Sequence, residues 1–93
     1  MRAENWKAAN GSSKVRGRFD LMLDSGMIIR GCTLVDGKNG DFVSLPQRTY
    51  ESGGSTKYAA IIEFVSRERG EKFFDAALTA IKALRQAKQG EAA

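Results

Sequence analysis

Histidine is absent, cysteine and proline occur once each, and no apolar run approaches the length of a membrane span. Each lack removes a class of function. Without histidine, the commonest general base and a common metal ligand are both missing, and most acid–base or nucleophilic chemistry goes with them. A lone Cys32 can neither close an internal disulfide nor assemble a metal cluster. It reads as a small buried hydrophobe in a reducing, cytoplasmic compartment, with no structural zinc and no cofactor expected. The carboxylates Asp20, Asp24, Asp36 and Asp41 fall at expected strand ends and turns, where they are common for local reasons. An enzyme is therefore not expected. Nor is a membrane partner, since no charged-then-apolar leader of the secretory type is seen. Ninety-three residues allow one core and no second domain.

What is present is positive charge, and it is unevenly spread. Residues 1–19 hold Arg2, Lys7, Lys14, Arg16 and Arg18 against Glu4 alone. Residues 20–65 are slightly acidic, and from residue 66 onward six bases face four acids. A basic chain with segregated charge points to a polyanion, most often nucleic acid. Solubility alone is the competing explanation.

One segment carries most of the fold information: Leu34-Val35-Asp36-Gly37-Lys38-Asn39-Gly40-Asp41-Phe42-Val43-Ser44-Leu45-Pro46. Two apolar runs flank a glycine-containing turn, which predicts a tight antiparallel hairpin. Pro46 cannot donate to a ladder, so it should end the second strand or sit on an edge. The pattern xDGKNGxFVxxPxR resembles the SpoVG family, small bacterial proteins linked to septation and gene regulation. The similarity runs from about Phe19 to Ile81, through a strand at Phe19–Leu23, the hairpin, Gln47 and Arg48, a strand at Tyr58–Ile61, and a helix after Ser66. Glu63 and Phe64 stand where the family often carries a His-Pro pair. The resemblance implies a dimer formed through sheets, and nucleic-acid contact near the strand-to-helix region.

Residues 1–13 read as a flexible arm, 14–89 as a single domain and 90–93 as a tail. Ala8-Ala9-Asn10-Gly11-Ser12-Ser13 has a linker's composition, while Trp6 is expected to fold back onto the body. From Lys14 to Leu23 the chain alternates, with Val15, Phe19, Leu21 and Leu23 opposite Lys14, Arg16, Arg18 and Asp20. The next strand does not alternate: Met27, Ile29 and Val35 fall on one face, Ile28, Cys32 and Leu34 on the other. A strand around Tyr58 is likewise apolar on both sides. Strands of that kind are covered on both sides, and one helix covers only one. The expected fold is α+β, a curved antiparallel sheet of about four strands with one long C-terminal helix. A symmetric homodimer is expected to supply the second cover. Residues 49–56, with Gly53-Gly54, read as an exposed, mobile hairpin connection flanked by Arg48 and Lys57.

The helix is expected from Arg67 to Lys88 with Ser66 as N-cap. Phe73, Phe74, Ala77, Leu78, Ala80, Ile81 and Leu84 form one apolar arc, with Glu68 and Lys72 as an outward i,i+4 pair. Lys82, Arg85 and Lys88 suit the negative end of the helix dipole. Arg67 and Arg69 sit at its positive end, an arrangement suited either to receiving an anion or to pairing with nearby carboxylates. Three functions fit. One is a dimeric regulator that binds DNA, with RNA left open, through phosphate contacts from Arg67, Arg69, Lys72, Arg16, Arg18, Arg48 and Lys57. Another is a single-stranded DNA-binding protein that stacks bases on Tyr58, Tyr50 or Trp6. The last is a protein-interaction module whose charge only solubilises it. Salt dependence separates the last from the others.

Overall fold

The computed structural model describes residues 1–9 and 14–92, with side chains described through residue 87. Four strands, β1 (Arg2–Ala8), β2 (Val15–Met22), β3 (Ile28–Gly37) and β4 (Gly40–Ser44), form an antiparallel sheet in that spatial order. A separate two-stranded hairpin follows, β5 (Gln47–Ser52) and β6 (Ser55–Ala60), and then one helix, α1 (Arg67–Ala92). The fold is α+β, as expected. Its fourth sheet strand is not the expected one, however. Among the described residues the segment around Tyr58 pairs only with β5, and the sheet is completed by β1, from residues assigned to an arm. The remaining linker positions, 10–13, lie outside the described residues, as do the side chains of Lys88 and the tail.

Two irregularities explain why alternation misled. Ala3 and Trp6 stand three residues apart, which no regular strand places on one face. Asn5 resolves this by adopting φ 59°, at a bulge where β1 spends three residues against two on β2. Trp6 then joins Ala3 on the core side, its ring 6.5 Å from Phe19. On β3 the same device lies at Gly31, whose φ of 77° is open to glycine at little expense. Phe19 pairs with Cys32 and Leu21 with Ile29, so the extra residue turns Ile29 onto the face of Cys32 and Leu34. All three are buried there. The split of Ile29 from Cys32 and Leu34 is thus corrected, and most of β3's apolar surface serves one core.

That core joins Ala3, Phe19, Leu21, Ile29, Cys32, Leu34 and Val43 of the sheet to Ala77 and Ile81 of α1. The helix lies across the sheet, touching both edge strands, β1 and β4. Phe73, Phe74, Leu78, Ala80 and Leu84 pack against the core, so the expected arc faces inward. Phe64, before the helix, packs tilted against Phe73 and edge-on against Phe74, at centroid separations of 5.1 and 5.6 Å. Cys32 is fully buried, and burial pushes its thiol up to about 11, as expected of an inert packing residue.

Asp20 holds both bulges at once. Its carboxylate accepts from the Asn5 amide at 2.8 Å, from the Gly31 backbone N–H at 3.1 Å and from Arg30 at 3.2 Å. The Asn5 bond, helped by Gly31 and Arg30, lowers the Asp20 pKa below the usual carboxylate value. A depressed carboxyl stabilises the fold above its unfolded pKa of about 3.9 and loses that contribution as pH falls through the folded value. Asp20→Ala is expected to lower stability by about 1–3 kcal/mol, because two backbone irregularities lose their shared acceptor. Urea titrations of parent and variant at neutral pH and in acid check this: the gap should narrow as Asp20 protonates.

Candidate nucleic-acid interface

The expected site residues fall into three places. Arg67, Arg69 and Lys72 sit in the first turns of α1, Arg16 and Arg18 on β2, and Arg48, Lys57 and Tyr58 on the hairpin. Their electrostatic situations differ sharply.

At the helix start, Ser66 caps as expected: its Oγ accepts from the Arg69 N–H at 3.2 Å. Arg67 donates to Glu71 at 3.0 Å, and Lys72 pairs with Glu68 at 3.3 Å. Both pairs are exposed i,i+4 contacts that hold little free energy, so either cation remains open to a stronger anion. Arg69 has no carboxylate partner among the described residues. Beside this turn lies a cleft whose lining includes Phe64, Arg67, Gly70, Glu71 and Phe74.

Arg16 is committed elsewhere. It donates through Nε to Asp41 at 2.7 Å and lies 3.5 Å from Asp36. Asp36 and Asp41 face each other directly across β3 and β4, a like-charge pair that Arg16 neutralises, with Arg85 3.8 Å from Asp41. Arg85 also lies 5.2 Å from the Trp6 ring centroid, tying helix to β1. Arg16 is a structural clamp.

Arg18 is the opposite case. It projects from the face of the sheet turned away from α1, between the buried Gly17 and Phe19. Directly across β1 stands Lys7, which sequence analysis left in the arm. Two like charges face each other here, and neither has a carboxylate partner among the described residues. The adjoining acidic pair, Glu4 and Asp20, is already engaged by Arg2 at 2.8 Å and Arg30 at 3.2 Å. Thr33 of β3 lies opposite Arg18, and Ser44 of β4 opposite Thr33.

On the hairpin, Arg48, Tyr50 and Lys57 share one face, since Tyr50 pairs with Lys57 and Arg48 lies two residues from Tyr50. Arg48 sits 6.0 Å from the Tyr50 ring centroid. Tyr58 pairs with Thr49 and points to the other face. Every residue of β5 is exposed, and Gly53-Gly54 forms the tip of a hairpin longer than the expected loop. The sequence signal for these strands is weak because no core fixes their alternation.

No family model matches the chain. Over 72 residues it is 29% identical to a protein of Archaeoglobus fulgidus named "Putative septation protein SpoVG", a match spanning 77% of this chain and 81% of that protein. The chain is thus similar to a SpoVG-named protein over most of both lengths. The SpoVG-like hairpin at Leu34–Pro46 is seen in the structure as β3 and β4, joined through Lys38 and Asn39, with β4 ending before Pro46. No helix of the described residues is long and apolar enough to cross a membrane.

Proposed function

We propose that this SpoVG-like chain is a homodimeric nucleic-acid-binding regulator of the cytoplasm, not an enzyme, and that it holds DNA, or RNA, through phosphates. The observation that carries this reading is that Arg18, Arg48, Lys57 and Arg69, with Lys7, Lys14, Lys38 and Lys82, are exposed cations without carboxylate partners among the described residues. Internal pairing satisfies Arg16, which therefore stands apart from the unpaired set. Free guanidinium forks on an exposed surface are well matched to phosphate oxygens. Phosphates carry no base identity, so binding of this kind is weakly sequence-specific.

Dimerisation rests on the hairpin. Two strands alone are marginal in water, and β5–β6 joins no other strand among the described residues. Ile61 and Val65, beyond it, are 60% and 90% exposed. A second copy clasped through this arm is the symmetric solution. Such a dimer duplicates each basic site and raises affinity without any one site being strong.

Replacing Arg67 and Arg69 together with glutamine tests the helix-start contribution. The double variant should bind an oligonucleotide on the order of tenfold more weakly, with its salt slope reduced by about one per lost phosphate contact. Its unfolding midpoint should stay that of the parent, since the only ion pair lost is the exposed Arg67–Glu71 pair. Parent-like affinity would remove the helix start from the interface.

A further inference from the structure

We propose that a single-stranded nucleic acid crosses the sheet face turned away from the helix, along one row of side chains: Lys7, Arg18, Thr33 and Ser44. The inference rests on the nucleic-acid reading and gives it a second surface, distinct from the helix start. The four residues come one from each strand and are joined by register, Lys7 opposite Arg18, Arg18 opposite Thr33, and Thr33 opposite Ser44. Directly opposed residues of antiparallel strands project to the same face, so the row is continuous. At a strand spacing of about 4.8 Å it is roughly 14 Å long.

Its chemistry is that of a phosphate track. Two cations open the row and two hydroxyls close it, and no hydrogen bond or ion pair engages any of these side chains among the described residues. Like charges placed directly opposite destabilise a sheet. Elsewhere the protein neutralises such a pair: Asp36 and Asp41 are bridged by Arg16. Lys7 and Arg18 lack any such bridge among the described residues. An external anion would supply it.

The next row on the same face is apolar, with Val15 opposite Val35 and Val35 opposite Phe42. Phe42 is half exposed and its ring lies over Gly37, where a Cβ would come within 2.9 Å of it. Phe42 adjoins the Ser44 end of the row, so a strand whose phosphates lie on Lys7 and Arg18 reaches the ring with a base further along. Cations combined with an exposed ring are what holds single strands. A second copy of this chain suits the face less well. In a two-fold dimer a face meets itself, which sets Lys7 and Arg18 near their own symmetry mates.

Binding and unfolding measured together decide the point. The double variant Lys7→Gln/Arg18→Gln and the single variant Phe42→Ala are titrated against labelled oligothymidylate, at salt of about 50 and 200 mM. The charge variant should lose roughly 1.4 from its salt slope, two single-strand contacts at about 0.7 each. Its thermal midpoint should hold or rise, because a repulsive pair has been removed. Phe42→Ala should weaken binding on the order of tenfold without changing the slope. If the charge variant binds as the parent does, the row is wrong while the helix-start interface stands. If it instead melts early or shifts from dimer to monomer, the face is covered by protein and the proposal fails. Absence of binding by the parent itself overturns both this inference and the reading on which it rests.

Discussion

Phe19→Ala is expected to remove about 3–5 kcal/mol of stability, enough to leave much of the chain unfolded at physiological temperature. Phe19 is 2% exposed and belongs to a core shared by the sheet and α1. It pairs with Cys32 beside the β3 bulge and lies against Trp6 of β1. Its loss therefore opens a cavity where three strands and the helix depend on one ring. A domain of this size holds roughly 5–14 kcal/mol in total, so the variant forfeits a large share. Urea unfolding followed by circular dichroism and by Trp6 fluorescence measures the change. A loss below about 1 kcal/mol would mean that the ring is not central to the core.

Gly17→Ala should be nearly as damaging, although it adds a single carbon. A Cβ at Gly17 would lie 2.5 Å from the Trp6 ring and also collide with the Lys7 carbonyl oxygen. The ring has some room to move, but the carbonyl belongs to the paired backbone of β1. Relief requires β1 to shift away from β2, which also disturbs the Trp6–Phe19 and Trp6–Arg85 contacts. Overpacking of this kind costs about 1–3 kcal/mol, and the expected effect lies in the upper half of that range. The variant should show a red-shifted Trp6 emission and earlier proteolysis near its N-terminus. Unchanged emission and stability would contradict the packing of β1 described above.

Much of this architecture was legible in the sequence, and the exceptions share a cause. The Leu34–Pro46 hairpin was legible because its turn chemistry is local and Pro46 stops the strand. The helix was legible because Phe73, Ala77, Ile81 and Leu84 keep one face over several turns. Strand β1 was not, because the bulge at Asn5 breaks the period that marks a strand, and Asp20, fifteen residues on, is what holds the bulge. The same is true of Gly31, whose bulge moves Ile29 across the sheet. Pairing also decides the site. Arg16 and Arg18 look alike in sequence, yet one neutralises two aspartates and the other faces Lys7. A cation's freedom is a property of its neighbours across the strands, which local pattern does not contain.

The central claim is that phosphates are held by exposed, unpaired cations, and its most direct measurement is the salt dependence of oligonucleotide affinity. Anisotropy titrations of the parent protein across a salt series give log K against log salt. With about four phosphate contacts, affinity for a single strand should fall on the order of fiftyfold between about 50 and 200 mM salt. No measurable binding at low salt, or an affinity that does not move with salt, would contradict the account.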